Sequence, residues 1–278
     1  MFNIMKRILS KYPIFFRFVL TLFLFAFALF FSGIIDTPFL KCYFPFTSVI
    51  LLTLVTWGLF KIDGKSLKCL GLNLSMRNVS FLPLGIFIGA IAFMLAKYCR
   101  GLYTGETFEI TTSSINYKVL LYSLYTILPT VAVEEFLFRG YAFKKIIEVS
   151  NVVIANILFG TLFMLIHILD SEVIQNKGMV IFLLISIPVG HLLFATALLK
   201  SKTLFFPIGI HLGNNWATHH LIANYNNGNS IFYIPETVTF ETWTPFIIVI
   251  LIFNATFLIV TYLIWKWSDF HWIKKQKE

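Results

Sequence analysis

Charge is what this sequence lacks most. Only 13% of its 278 residues are Asp, Glu, Lys or Arg, and the acidic residues number 13. Soluble domains carry about a quarter. A solvated surface cannot be built from so few charges, and a disordered chain, which depends on charge and polarity, is excluded with it. Cysteine is almost as rare. Cys42, Cys69 and Cys99 form an odd set without metal-ligand spacing, so neither a disulfide scaffold nor a zinc ribbon is indicated. Fifteen glycines and nine prolines are too few for a collagen-like repeat.

Apolar residues are present in excess. They make up 58% of the chain, aromatics alone 18%, and the mean hydropathy is +0.82. They arrive in long blocks, as expected where the bilayer is the solvent. About 20 residues cross about 30 Å of hydrocarbon, and eight blocks approach that length, near 14–35, 42–60, 81–98, 118–138, 152–170, 179–199, 203–222 and 245–266. The first follows Lys6, Arg7 and Lys11 as a signal peptide would. It is too long for a signal h-region and has no small-x-small cleavage site, so it is read as a retained span. The seventh is the weakest because it contains His211, Asn214 and Asn215, but polar residues inside a bundle mark function. With no repeat or low-complexity segment, residues 1–278 read as one membrane-embedded domain, an all-α bundle of about eight transmembrane helices.

The net charge of +9 indicates cytoplasmic loops and not nucleic acid. With the N-terminus cytoplasmic, Lys6, Arg7, Lys11, Arg17, Lys61, Lys65, Lys68, Arg77, Arg139, Lys144, Lys145, Lys200, Lys202, Lys266, Lys274, Lys275 and Lys277 fall inside, 17 of the 22 basic residues. Lys41, Lys97, Arg100, Lys118 and Lys177 fall outside. This asymmetry places both termini in the cytoplasm, and the Phe- and Asn-rich composition suits a bacterial cell membrane. The stretch Asn224 to Asn229 reads as a long external loop.

Three polar constellations interrupt the apolar blocks. Glu134 and Glu135 close the fourth, four residues short of Arg139 for the second of them. On a helix Glu135 and Arg139 can pair, while Glu134 points about 100° away and stays free. His167 comes late in the fifth block, which forms an antiparallel hairpin with the fourth turning near Ser150 and Asn151. Glu134 lies 16 residues before Ser150 and His167 lies 16 after Asn151, so both reach similar depth. His211 and Asn215 share one face of the seventh block, where Gly209 and Gly213 leave room for close approach of a neighbour or a substrate. Each constellation alone is as well explained by interhelical packing as by chemistry; three in one small bundle point to chemistry.

In order and internal spacing, Glu134-Glu135-x-x-x-Arg139, Phe163-x-x-x-His167 and His211-x-x-x-Asn215 resemble the three motifs of the CPBP family of intramembrane proteases, the CAAX proteases and bacteriocin-processing enzymes, also called type II CAAX endopeptidases or the Abi family. Leu70-Gly71-Leu72 resembles a cytoplasmic segment of many bacterial members. The likeness runs from about residue 60 to 220. Rival intramembrane chemistries lack their signatures, with no His-Glu-x-x-His, Gly-x-Ser-x-Gly or Gly-x-Gly-Asp.

The resemblance implies hydrolysis of a peptide or membrane protein at the bilayer, with lipid as surroundings and no nucleic acid. Its roles fall on Glu134 as base, His167 orienting the water, and His211 and Asn215 facing the oxyanion, with Glu135 and Arg139 paired. A second version places a divalent metal, Zn²⁺ above all, on Glu134, His167 and His211. The residues leave both open, as they leave open the substrate, the oligomeric state, a non-catalytic scaffold or bacteriocin-immunity role, and a proton relay. Reporter fusions test the topology: those at Lys144 and Lys275 should read cytoplasmic and one at Asn227 external. An external signal at Lys275 would show a miscounted span.

Overall fold

The computed structural model describes residues 13–267. Lys6, Arg7, Lys11, Lys274, Lys275 and Lys277 of the expected cytoplasmic set lie outside them. Each of the eight apolar blocks forms a helix: α1 (Pro13–Ile35), α3 (Thr47–Ile62), α4 (Met76–Thr104), α5 (Tyr117–Arg139), α7 (Val152–Ile168), α9 (Lys177–Ser201), α10 (Phe205–His220) and α11 (Trp243–Lys266). Short helices α2 (Pro38–Tyr43), α6 (Tyr141–Val149) and α8 (Ser171–Ile174) connect them. Five segments are long and apolar enough to cross a membrane, namely those of α1, α4, α5 with α6, α9 and α11; α3 and α7 are shorter apolar helices. This is an all-α polytopic membrane protein.

Polar residues at the ends of the blocks set the helix limits. The side chains of Ser75, Asn116, Asn151 and Asn176 accept hydrogen bonds from the first-turn amides of α4, α5, α7 and α9, satisfying donors that would otherwise be orphaned. Asn151 caps α7 directly after the expected turn, but α5 stops at Arg139 and the separate helix α6 lies between Glu134 and that turn, so the fourth block does not run unbroken into the hairpin. Gly105 ends α4 in the left-handed conformation, at φ +79°.

α4 and α10 form the tightest seam. Gly85 and Gly89 on α4 meet Gly209 and Gly213 on α10, two small-x-x-x-small stripes face to face. A Cβ on Gly89 would stand 2.0 Å from the Ile210 carbonyl oxygen, and one on Gly213 would stand 2.0 Å from that of Ile86. The room left by Gly209 and Gly213 is therefore taken by a neighbouring helix and not by substrate. Gly85 lies against Gly209, and Ile86 against Gly213, so the two helices run parallel.

The contacts between connecting segments sort into two ends. At one, Asp63 accepts from Lys145 Nζ at 2.7 Å and Tyr141 Oη at 2.8 Å and pairs with Arg17 at 3.1 Å, tying α1, α3 and α6 together. Partial burial pushes the Asp63 carboxyl up, but hydrogen bonds from Lys145 and Tyr141 and the charges of Lys145 and Arg17 hold it below its ordinary value. Lys65 pairs with Glu148 there. Gly71, at φ +61°, seats the Leu70-Gly71-Leu72 segment against the turn before α10: its carbonyl accepts from Asn78 Nδ2 and Thr203 Oγ1, and the Leu204 amide donates to Leu70.

At the opposite end a small sheet closes the loops. β1 (Glu109–Ile110) pairs antiparallel with β3 (Phe232–Tyr233), which pairs parallel with β2 (Ile222–Ala223). Two-residue strands have no readable period, so the sequence did not announce them. The Asn-rich stretch belongs to this layer, where Asn226 donates to Thr112 Oγ1 at 2.6 Å and accepts from the Ser113 amide.

Overpacking a close helix contact costs about 1–3 kcal/mol. Gly89→Ala or Gly213→Ala should therefore lower thermal stability in detergent by at least that much, because the new methyl meets backbone that cannot rotate aside. Gly33→Ala, where nothing lies within 4 Å, should leave it unchanged.

Candidate active site

α5 ends on two carboxylates that the helical twist sends in different directions. Glu135 points into the protein, where its side chain and that of Arg139 are both fully buried. Its Oε1 accepts from Arg139 Nη1 at 3.2 Å and from His211 Nδ1 at 2.9 Å. The expected pair is present, and it has a third member that the sequence spacing did not supply. The Arg139 guanidinium lies over the ring of Phe163 at 4.2 Å and near that of Phe194 at 5.1 Å, so the part of its charge not met by Glu135 rests on aromatic faces. Phe194 also stacks on His211, with centroids 4.5 Å apart and planes 18° apart.

Glu134 is partly accessible, with 21% of its side chain exposed. Its Oε2 lies 3.6 Å from His211 Nε2 and has no hydrogen-bond partner among the described residues. Since Glu135 is paired with Arg139 it acts as acceptor, and His211 must donate from Nδ1. Nε2 is then the atom turned toward Glu134. His167 is fixed in the same way. Its Nδ1 lies 2.8 Å from the Phe163 carbonyl oxygen, which can only accept, so Nδ1 carries the proton and Nε2 is left for other partners. Asn214 Nδ2 donates to Asn215 Oδ1 at 3.2 Å, which holds the amide oxygen and leaves the amide nitrogen of Asn215 on offer as a donor.

These groups share a cavity of about 660 Å³, the size of a site for a small molecule or a few peptide residues. Glu134, His167, His211 and Asn215 all line it, so four of the six candidate residues converge. Glu135 and Arg139 do not; they support His211 from behind. The remaining walls come from Thr126, Ile127 and Thr130 of α5, from the stretch of α9 between Phe182 and Phe194, and from Phe93, Phe253, Asn254 and Phe257. Within this wall Asn254 Nδ2 donates to Ser186 Oγ at 2.9 Å.

Sequence reasoning passed over Phe194 and the Ser186–Asn254 pair, since neither breaks an apolar pattern strongly. It also passed over His191, buried in α9 beside Phe143 and Phe163 without a hydrogen-bond partner for either ring nitrogen among the described residues. The rule that singled out His167, a histidine within an apolar span, would have found it. A metal on Glu134, His167 and His211 was the second expected version. Among the described residues no three His, Cys, Asp or Glu side chains are grouped so as to hold an ion. That set does not fit a metal in this geometry.

A bundle of apolar helices that gathers a carboxylate, two imidazoles and an amide around one cavity defines a polytopic membrane protein with a cluster of polar side chains inside it. Residues 116–217, which contain all six candidate residues, match the family described as Type II CAAX prenyl endopeptidase Rce1-like, the CAAX protease family that the three motifs resemble. The match supports an endopeptidase whose substrate is a peptide or protein at the membrane. No curated protein and no solved structure matches the chain.

Glu135→Gln should destabilise the protein by about 3–5 kcal/mol, the usual cost of removing one partner of a buried pair. It leaves Arg139 without its counter-charge and His211 without its anchor. Thermal unfolding in detergent measures this, and an unchanged melting temperature would show that Arg139 is neutralised by other means.

Proposed function

We propose that the chain is an intramembrane endopeptidase that hydrolyses a peptide bond of a membrane-associated peptide or protein by a water activated at Glu134. The observation that carries this reading is the convergence of Glu134, His167, His211 and Asn215 on one cavity, with His211 oriented from behind by Glu135.

Hydrolysis in a bilayer needs a water, a base and a donor for the oxyanion. Glu134 takes a proton from the water as its oxygen attacks the scissile carbonyl carbon. His167, with Nδ1 committed to Phe163, offers Nε2 to hold and orient that water. His211 keeps its Nδ1–H on Glu135 and, with a second proton on Nε2 in the reacting state, donates a hydrogen bond from Nε2 to the carbonyl oxygen as that oxygen gains negative charge. The Asn215 amide is a second donor to the same oxygen. Collapse of the tetrahedral species transfers the proton held on Glu134 to the leaving amine, which restores the carboxylate. The aromatic floor of Phe163 and Phe194 keeps bulk water out, where these donors act most strongly.

Glu134→Gln should abolish cleavage while leaving the protein folded, because an amide keeps the shape but cannot accept the proton. Comparing the peptides and membrane proteins released by cells carrying the wild type and this variant would both test the reading and identify the substrate. With that substrate in hand, Asn215→Ala should lower kcat by about 10²- to 10³-fold with little change in KM. Asn215→Asp should be worse, since a carboxylate repels the oxyanion. An active Glu134→Gln protein would overturn the proposal.

A further inference from the structure

A second cavity, of about 600 Å³, lies between α7, α9 and α11 and shares no lining residue with the one that holds Glu134. Contacts along the helices set how the three run past one another. Trp267, next after α11, meets Phe81 and Phe206 with ring centres 5.9 and 5.4 Å apart. α11 therefore ends beside the first turn of α10, which is where α9 ends as well. With Asn254 bonded to Ser186, α9 and α11 run parallel. A Cβ on Gly160 would stand 3.4 Å from the His191 ring, and Val152 and Lys200 border one cavity, so α7 runs antiparallel to both.

At about 1.5 Å per residue the lining residues fall into three layers. Lys200 and Trp265 occupy the last turns of α9 and α11, beside Val152 at the start of α7. About one turn further in, each four residues from its neighbour at the rim, lie Thr196, Thr261 and Asn156. Leu192 and Leu258 come deepest, Leu192 about 12 Å along α9 from Lys200. The layers differ in chemistry. Lys200 Nζ and Lys266 Nζ lie 5.9 and 5.0 Å from the Trp265 ring centre, Lys202 follows α9 directly, and α7, α9 and α11 contain no Asp or Glu. In the middle layer Asn156 Nδ2 donates to the Val152 carbonyl, and its Oδ1 is buried with no hydrogen-bond partner among the described residues. Polar groups at such depth are costly against hydrocarbon. The deepest layer is aliphatic.

Cationic, polar, aliphatic is the order that a glycerophospholipid presents from phosphate through ester linkages to acyl chain. Free phosphate would suit only the rim, water only the middle layer and a bare hydrocarbon chain only the deepest one. We infer that this cavity is a binding site for one anionic phospholipid, with its phosphate at Lys200, its ester region beside Thr196 and Asn156, and an acyl chain along Leu192 and Leu258. Basic pockets between spanning helices hold anionic headgroups in this way. Tyr262 and Trp265, with ring centres 5.9 Å apart, are amphipathic aromatics of the kind that sit at headgroup level. α9 and α11 also wall the cavity of Glu134, so the lipid braces the helices that carry Phe194 and Asn254.

Native mass spectrometry and thermal unfolding of the full chain in detergent test this, with titration by phosphatidylglycerol, by phosphatidylcholine of the same acyl chains, or by inorganic phosphate. Phosphatidylglycerol should bind one to one and raise the melting temperature, phosphatidylcholine should bind more weakly, and phosphate should do neither. Lys200→Gln should weaken phosphatidylglycerol binding about fivefold, the usual worth of one basic residue at an anionic headgroup. Leu192→Trp should weaken it as well, by filling the deep end while leaving the charge in place. Lys61→Gln is the control: Lys61 lies 4.9 Å from the Trp57 ring on α3, a second lysine–tryptophan pair that borders neither cavity, and its loss should leave binding unchanged. Equal binding of the two lipids would overturn the inference, as would an equal shift from phosphate alone. So would a loss from Lys61→Gln as large as that from Lys200→Gln, which would mark diffuse interfacial charge and not a site. If Lys200→Gln fails to fold, the choice between lipids by the wild type and the effect of Leu192→Trp still decide.

Discussion

One carboxylate oxygen holds the site together. Glu135 Oε1 accepts from both Arg139 and His211 where the side chains of Glu135 and Arg139 are wholly buried. In water these charges would be solvated separately; inside an apolar bundle each must be met by another group of the protein. Removing Glu135 or Arg139 leaves a buried charge, and removing Glu135 also leaves the imidazole unanchored. The arrangement ties α5 to α10, makes Nδ1 of His211 a donor and turns Nε2 toward Glu134.

That bond depends in turn on α10 lying deep within the bundle. A helix carrying three histidines and two asparagines on its course is costly against lipid, and α10 avoids the cost at His211 by being surrounded by protein there. Its glycines allow this. Gly209 and Gly213 bring α10 against Gly85 and Gly89 of α4 at backbone contact, so the stripe of small residues faces α4 while His211 and Asn215 are left to face the cavity. Packing and chemistry thus use different faces of one helix.

The adjacent glutamates divide their tasks by the same geometry. A turn of about 100° separates one that is neutralised in the core from one that is accessible in the cavity. Aromatic rings serve both. Phe163 and Phe194 carry the Arg139 charge on their faces and also form the cavity floor, so the structure that stabilises the buried pair also keeps water from the reacting groups.

Composition and pattern by themselves determined the membrane class, the positions of eight apolar helices and the Glu135–Arg139 pair. Each follows from local rules: hydrocarbon thickness sets block length, and helical spacing sets which neighbours on one helix can meet. The spacing about Ser150 and Asn151 set Glu134 and His167 equally far from the turn, and both line one cavity. Only the tertiary structure could place His211 on Glu135, 76 residues away, since no local period relates α5 to α10. It alone decided that Gly209 and Gly213 serve a helix seam and not a substrate, and that Phe194 closes the floor. Closure and partnership are relations between helices, and in a bundle they are set by which faces pack together.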